Sequence, residues 1–117
     1  MALHTCQIKD TGITWIDIYD PSEKDIESVS TSYRLNSYAL MDSLDPDHLP
    51  KYEEHNDTHF LIIRLFHEED QKLPTIQSLS SKIAVFFNKD FIITVHRSAQ
   101  PLIKKIMESQ VSEGKIN

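Results

Sequence analysis

The sequence predicts an α+β domain: an α/β/α sandwich built on a mixed, mostly antiparallel sheet with helices on both of its faces. Three observations carry this expectation. Strand-like and helix-like segments follow in the order β-β-α-α-β-β-β-β-α, so a helix pair interrupts the strands. Two central segments, Phe60–Phe66 and Ile83–Phe87, offer apolar groups to both sides of a sheet and so call for cover on both sides. The 117 residues make one domain, 1–117, long enough to bury a core without disulfides or a structural metal.

Taken in order, Thr5–Lys9 and Ile13–Tyr19 read as the first two strands, parted by the turn-like residues Asp10, Thr11 and Gly12. β-Branched and aromatic side chains dominate the second. Asp17 is out of keeping with it and is expected at the strand end, in water or bonded to backbone. Asp20-Pro21-Ser22-Glu23 reads as a helix start, with Asp20 as the N-cap, Pro21 in the first helical position and Glu23 reaching back. Ile26, Val29 and Tyr33 follow at helical spacing. Asn36 caps a second helix that turns Leu40, Met41 and Leu44 to the core, and Asp45-Pro46 ends it. Lys51–His55 and Thr58–His67 form a hairpin around His55-Asn56-Asp57. The acidic run Glu68–Leu73, closed by Pro74, reads as a loop with its tip in solvent. Ser78–Phe87 and Phe91–His96 form a second hairpin, turning at Asn88-Lys89-Asp90. Ser98 caps a last helix with Pro101 in its first turn and Leu102, Ile103, Ile106 and Met107 as its apolar stripe; from Gln110 the chain turns polar.

Composition narrows the function. Hydrophobic residues at 39% and charged residues at 26% are globular values. The net charge of −6 speaks against a nucleic-acid partner, which needs a basic surface, and suits divalent cations as well as simple solubility. The single cysteine, Cys6, makes no internal disulfide and fits a reducing compartment. Residues 1–12 have no apolar stretch of the secretory kind and include Asp10. The longest apolar runs, Phe60–Ile63 and Ile83–Phe87, are far short of the ~20 residues a membrane-spanning helix needs.

Motifs for catalysis are missing. Two glycines, Gly12 and Gly114, make no phosphate-cradling loop, and one cysteine makes no paired-cysteine zinc site. No serine sits in a glycine-flanked elbow. The sequon Asn56-Asp57-Thr58 falls in the expected hairpin turn. Two constellations remain. In the first, Asp42, Asp45, Asp47 and His48 offer oxygen ligands to a hard cation such as magnesium, with Asp42 and Asp45 at i,i+3; the same residues also read as the turn formers Asp45 and Asp47 beside a solvated Asp42. In the second, His55, His59 and His67 share parity, but the turn at Asn56 breaks the register a metal would need. Arg64 is expected to pair with a carboxylate on a neighbouring strand.

Read together, several stretches resemble a known family. Thr14-Trp15-Ile16-Asp17-Ile18 precedes a helix; then come Leu40-Met41-Asp42-Ser43-Leu44, Leu49-Pro50-Lys51-Tyr52-Glu53, Phe60-Leu61-Ile62-Ile63-Arg64 and Phe91-Ile92-Ile93-Thr94-Val95-His96. Their order and spacing, from Ile13 to Met107, resemble the cytoplasmic N-terminal domain of CorA-type magnesium and cobalt transporters. The resemblance implies an α/β/α sandwich followed by a stalk helix and two membrane helices, with five subunits forming a funnel around a pore. It implies that magnesium bound between cytoplasmic subunits favours the closed channel. The family's regulatory aspartate matches Asp42 in Leu40-Met41-Asp42. Two positions depart from the family pattern. Met41 stands where many members have glutamate, so a second carboxylate of the regulatory cluster is missing, and Leu49 stands where an arginine usually precedes Pro-Lys.

The expectation is therefore a regulatory domain, not an enzyme, at the cytoplasmic face of the cell membrane. It would help gate a Mg2+/Co2+ transporter through contacts between subunits of a homopentamer and with its own membrane domain. Asp42 is the one metal-site residue expected, and Mg2+ the regulatory ion, with Co2+ or Zn2+ as alternatives and no cofactor needed for folding. The polar end beyond Met107 fits a chain that stops where the family's stalk begins, with the Gly-Met-Asn pore signature and both membrane helices lying past Asn117. A zinc-transporting relative of the family and a free-standing interaction module without metal are the alternatives.

Overall fold

The computed structural model describes residues 2–66 and 80–116. Its strands are β1 (Ala2–Gln7), β2 (Thr14–Tyr19), β3 (Lys51–His55), β4 (Thr58–Phe66), β5 (Ser80–Phe87) and β6 (Phe91–His96); its helices are α1 (Glu23–Tyr33), α2 (Ser37–Leu44) and α3 (Pro101–Ile116). The strands form one sheet in the order β1-β2-β6-β5-β4-β3. β2 and β6 run parallel, and the other four pairings are antiparallel. The β3–β4 register follows from its turn: Asn56 (φ 51°) and Asp57 (φ 68°) are both left-handed, the two-residue geometry whose twist matches the flanking strands. At the β5–β6 turn, the Asn88 carboxamide oxygen accepts from the backbone N–H of Asp90 and of Phe91, at 2.8 and 3.1 Å.

Strand alternation sends two sets of side chains to opposite faces of the sheet. On one face Ile16, Ile18, Phe60, Ile62, Ala84, Phe86, Ile93 and Val95 pack under Ile26 of α1, Leu35 of the α1–α2 connection, and Ala39 and Leu40 of α2. On the other, Cys6, Trp15 and Ile83 pack under Ile103 and Met107 of α3. Helices thus cover both faces of a mixed, mostly antiparallel sheet, as the sequence predicts.

Several local expectations are corrected. Helix α1 is capped by Ser22, not Asp20: the Ser22 hydroxyl accepts from the Asp25 N–H, and the Asp25 carboxylate accepts from the Ser22 N–H. Asp20 has turned to a φ of 51° and lies two residues ahead of the cap. In α2, Met41 is exposed; Ala39, Leu40 and Ser43 form the buried line, and Met41 lies about 100° around the helix from Leu40. In α3, Leu102 and Ile106 are exposed, and only Ile103 and Met107, one turn apart, face the sheet. That helix continues to Ile116, through the stretch whose polar residues suggest fading. Strand β4 is buried on the α1–α2 face at Phe60 and Ile62, whereas Ile63 on the other face is 36% exposed because α3 lies across the β1–β2 side. His67 and the acidic run Glu68–Leu73 lie outside the described residues.

Candidate functional site

The short helix α2 begins at a firm cap: the Asn36 side-chain oxygen accepts from the Tyr38 and Ala39 N–H groups at 3.0 Å each. It ends at Leu44 because Asp45 adopts an extended backbone ahead of Pro46. Asp42 stands in its last turn, about a third exposed, and its carboxylate accepts a hydrogen bond from Lys51 Nζ at the start of β3. That bond, the largest influence on the lysine, holds its pKa above the usual value. Lys51 Nζ also lies 3.3 Å from Glu53, and His48 Nε2 lies 3.6 Å from Asp42 Oδ1. Of the four acidic-turn residues, Asp45 and His48 turn to local backbone. The Asp45 carboxylate accepts from the Asp47 N–H at 3.0 Å, and His48 Nδ1 lies 2.9 Å from the Leu49 carbonyl. Among the described residues, no three His, Cys, Asp or Glu side chains converge on a point where a metal ion would sit. The charge that Asp42 meets in this structure is the ammonium of Lys51.

The end of α2 also carries a collar of cations from distant strands. Lys82 of β5 donates to the carbonyls of Asp42, at 2.6 Å, and of Asp45. Arg97, just past β6, donates to the Leu44 carbonyl through Nε at 3.3 Å and Nη2 at 3.1 Å. Arg64 of β4 donates through Nη1 to the carbonyls of Pro46, at 3.2 Å, and His48, at 2.9 Å, and through Nε to the Ser80 hydroxyl at 2.8 Å. Among the described residues, Arg64 thus has hydroxyl and carbonyl partners in place of the expected carboxylate. Unpaired carbonyls at a helix C-terminus carry negative partial charge, and cations complement it. Burial pushes the Lys82 pKa down to about 8; Asp45 opposes that shift, and Arg64 and Arg97 add to it. Beside the collar lies a cleft of about 160 Å³, walled by Arg64, Lys82, His96, Arg97, Asp47 and serines including Ser43 and Ser98.

Behind the cleft, the parallel pairing of β2 with β6 brings Asp17 to Thr94 and Tyr19 to His96. Asp17 is not at the surface: it is 5% exposed and His96 4%. His96 Nε2 lies 2.9 Å from both Asp17 carboxylate oxygens, and Nδ1 lies 2.7 Å from the Ser98 carbonyl. Thr94 Oγ1 donates to Asp17 Oδ1 at 2.6 Å and accepts from Trp15 Nε1 at 3.1 Å, while Tyr19 stacks on the His96 ring. Burial works against the charged imidazole, but the bonds to Asp17 and to the Ser98 carbonyl outweigh it and raise the pKa above 6.5. Asp17 is anomalous in the sequence as well; its partner, 79 residues on, has no local signal.

The other histidines do not converge. His55 lies across from Thr58 and pairs with Glu53 at 3.1 Å, whereas His59 lies across from Glu54, on the opposite face, where it is hydrogen-bonded to Tyr52 and stacked on Phe87. The third member, His67, lies outside the described residues. Cys6 is buried, and burial raises its thiol pKa.

Residues 10–115 match a family model described as CorA-like Mg2+ transporter protein. The chain is 23% identical over 96 residues to the cobalt/magnesium transport protein CorA of Methanocaldococcus jannaschii, an alignment covering 80% of the chain and 28% of that protein. Its fold matches the complete structure of the CorA magnesium transporter of M. jannaschii with a TM-score of 0.68 at 21% identity, covering 96% of this chain and 33% of that one. It also matches the ZntB cytoplasmic domain of Vibrio parahaemolyticus with a TM-score of 0.62 at 13% identity, covering 86% of this chain and 40% of that one. The chain thus spans well under half the length of each of these proteins.

Proposed function

Because the chain belongs to the CorA-like Mg2+ transporter protein family, we propose that it is the regulatory domain of a divalent-cation transporter or channel, acting in metal-sensed gating. The family match over residues 10–115, on a sheet covered by helices on both faces, is the observation that carries the reading. No helix among the described residues is long and apolar enough to cross a membrane. On this reading conduction falls to other parts of a longer protein, and this domain works through contacts between neighbouring subunits, as a homopentamer on the cytoplasmic face. The transported ion, Mg2+ or Co2+, is cargo, whereas the sensed ion is Mg2+ held at a subunit boundary.

Asp42 supplies one carboxylate at that boundary. It sits in the last turn of a helix whose Met41 and Tyr38 are exposed at 70% and 77%, so this surface is free to meet a neighbour. A second carboxylate comes from the adjoining subunit, since one chain's described residues do not complete a site. Lys51 is the competitor: its ammonium neutralises Asp42 when no divalent ion does.

The experiment is the magnesium dependence of channel closure in the longer protein, with Asp42→Ala and Lys51→Gln. Closure in Asp42→Ala is expected to need more cytosolic Mg2+, and closure in Lys51→Gln less. An unchanged response in Asp42→Ala removes Asp42 from the mechanism. A gene that encodes no apolar spans outside these residues removes the transporter reading altogether. Flux measured with Mg2+, Co2+ and Zn2+ separates the cargo alternatives.

A further inference from the structure

We propose that the cleft beside the end of α2 binds a tetrahedral oxyanion of the phosphate class, as free phosphate or as a small phosphate monoester. The proposal rests on the cleft and its cations, independently of the gating role of Asp42.

The molecule carries a net charge of −6, yet three of its 12 lysines and arginines converge on this one concavity. They arrive from three separate places in the fold: Arg64 from β4, Lys82 from β5 and Arg97 from just beyond β6. Against them stand Asp47 on the wall, Asp45 at the helix end and the helix's own negative pole of about half a charge. Asp20, 3.9 Å from Arg97 Nη1, is 67% exposed and screened by water. His96 brings its own counter-ion in Asp17. Among the described residues, the wall of the cleft carries these three cations and one carboxylate without a dedicated partner, Asp47.

The carbonyl collar does not use up these cations. Arg64 spends Nε and Nη1 on Ser80, Pro46 and His48, and its Nη2 has no partner among the described residues. Lys82 donates two of its three protons, to Asp42 and Asp45. Guanidinium groups engage phosphate oxygens through parallel N–H donors, and an ammonium adds a point charge. The Ser98 side chain on the wall adds a hydroxyl, whereas the Ser43 hydroxyl already donates to the Leu40 carbonyl at 2.6 Å. The volume of about 160 Å³ admits a phosphate group with a short ester arm. A nucleic-acid strand is disfavoured by the acidic character of the whole chain.

Calorimetric titration of the 117-residue chain tests this, with inorganic phosphate and with glycerol 3-phosphate at constant ionic strength balanced by chloride. Expected is one saturable site with a Kd of about 1 mM or tighter for at least one probe, weakened about tenfold or more in Lys82→Met and in Arg97→Gln. Tighter binding of glycerol 3-phosphate identifies an ester as the ligand, and equal binding identifies the free ion. Lys105→Met, an exposed cation on α3, should bind as the parent does. Circular dichroism establishes that each variant is folded, and Arg97→Gln, an exposed position, serves if Lys82→Met is not. Absence of saturable heat with both probes in the parent chain overturns the proposal. So does unchanged affinity in the folded cleft variants, or an equal loss in Lys105→Met.

Discussion

His96 faces an acceptor with each ring nitrogen, Asp17 on one side and the Ser98 carbonyl on the other, and this favours the doubly protonated ring. A histidine whose pKa is raised on folding adds stability that is fully present below its unfolded pKa, about 6.5, and that fades as pH rises through the folded value. The stability margin of the parent chain over His96→Gln should therefore be largest at mildly acidic pH and shrink on the alkaline side, measured by urea unfolding across a pH series. A margin that widens with pH contradicts the assignment. Asp17→Asn strands the buried imidazolium and should cost about 3–5 kcal/mol near pH 6. The pair formed by Asp42 and Lys51 is different in kind. Both side chains keep roughly a quarter to a third of their surface in water, so Asp42→Ala should change domain stability by no more than about 1 kcal/mol. A lost magnesium response in that variant would then not be a folding defect, which unfolding curves of the two chains can verify.

Among the elements, α1 is where the expected cap and the observed one lie two residues apart. The sequence reads Asp20-Pro21 as the helix start, whereas the observed capping box is Ser22-x-x-Asp25. The fold selects the second because Asp20 is already committed: its backbone N–H donates to the His96 carbonyl at 2.8 Å, which continues the β2–β6 pairing past Tyr19. Ser22→Ala should therefore lower stability by about 1 kcal/mol. Asp20→Gly, at a left-handed φ of 51°, should not reproduce that loss, since glycine adopts such a backbone freely. Equal losses in the two variants, measured by chemical denaturation, would place the cap wrongly. The same contrast between local and distant information runs through α2. Its start is written in Asn36 and its stop in Asp45-Pro46, both legible by eye. Lys82 and Arg97, which bind its last carbonyls, come from 37 to 53 residues away and leave no local trace.

On the scale of the whole molecule, three layers divide the apolar residues of each strand between two cores, and neighbouring residues differ sharply in what they hold together. Ile62 is fully buried under the α1–α2 layer, and Ile63 beside it is 36% exposed on the other face. Ile62→Ala should cost about 2–5 kcal/mol, and Ile63→Ala distinctly less, because a cavity term arises only where the surroundings close around the side chain. Similar costs would mean that β4 is covered equally on both sides, as its sequence suggests. The sequence by itself determined the order and type of the elements, the sheet's mixed character, the hairpin around His55-Asn56-Asp57 and the family resemblance, because period, capping chemistry and turn residues act over a few neighbouring positions. It also singled out Asp42, though not Lys51 as its partner. Only the tertiary structure decided that Asp17 is a buried partner of His96, that Arg64, Lys82 and Arg97 gather at the end of α2, and that α3 leaves part of one sheet face open. Each depends on strand order, which brings together residues that no local pattern relates: the parallel placement of β6 beside β2 follows from how the whole sheet closes its core.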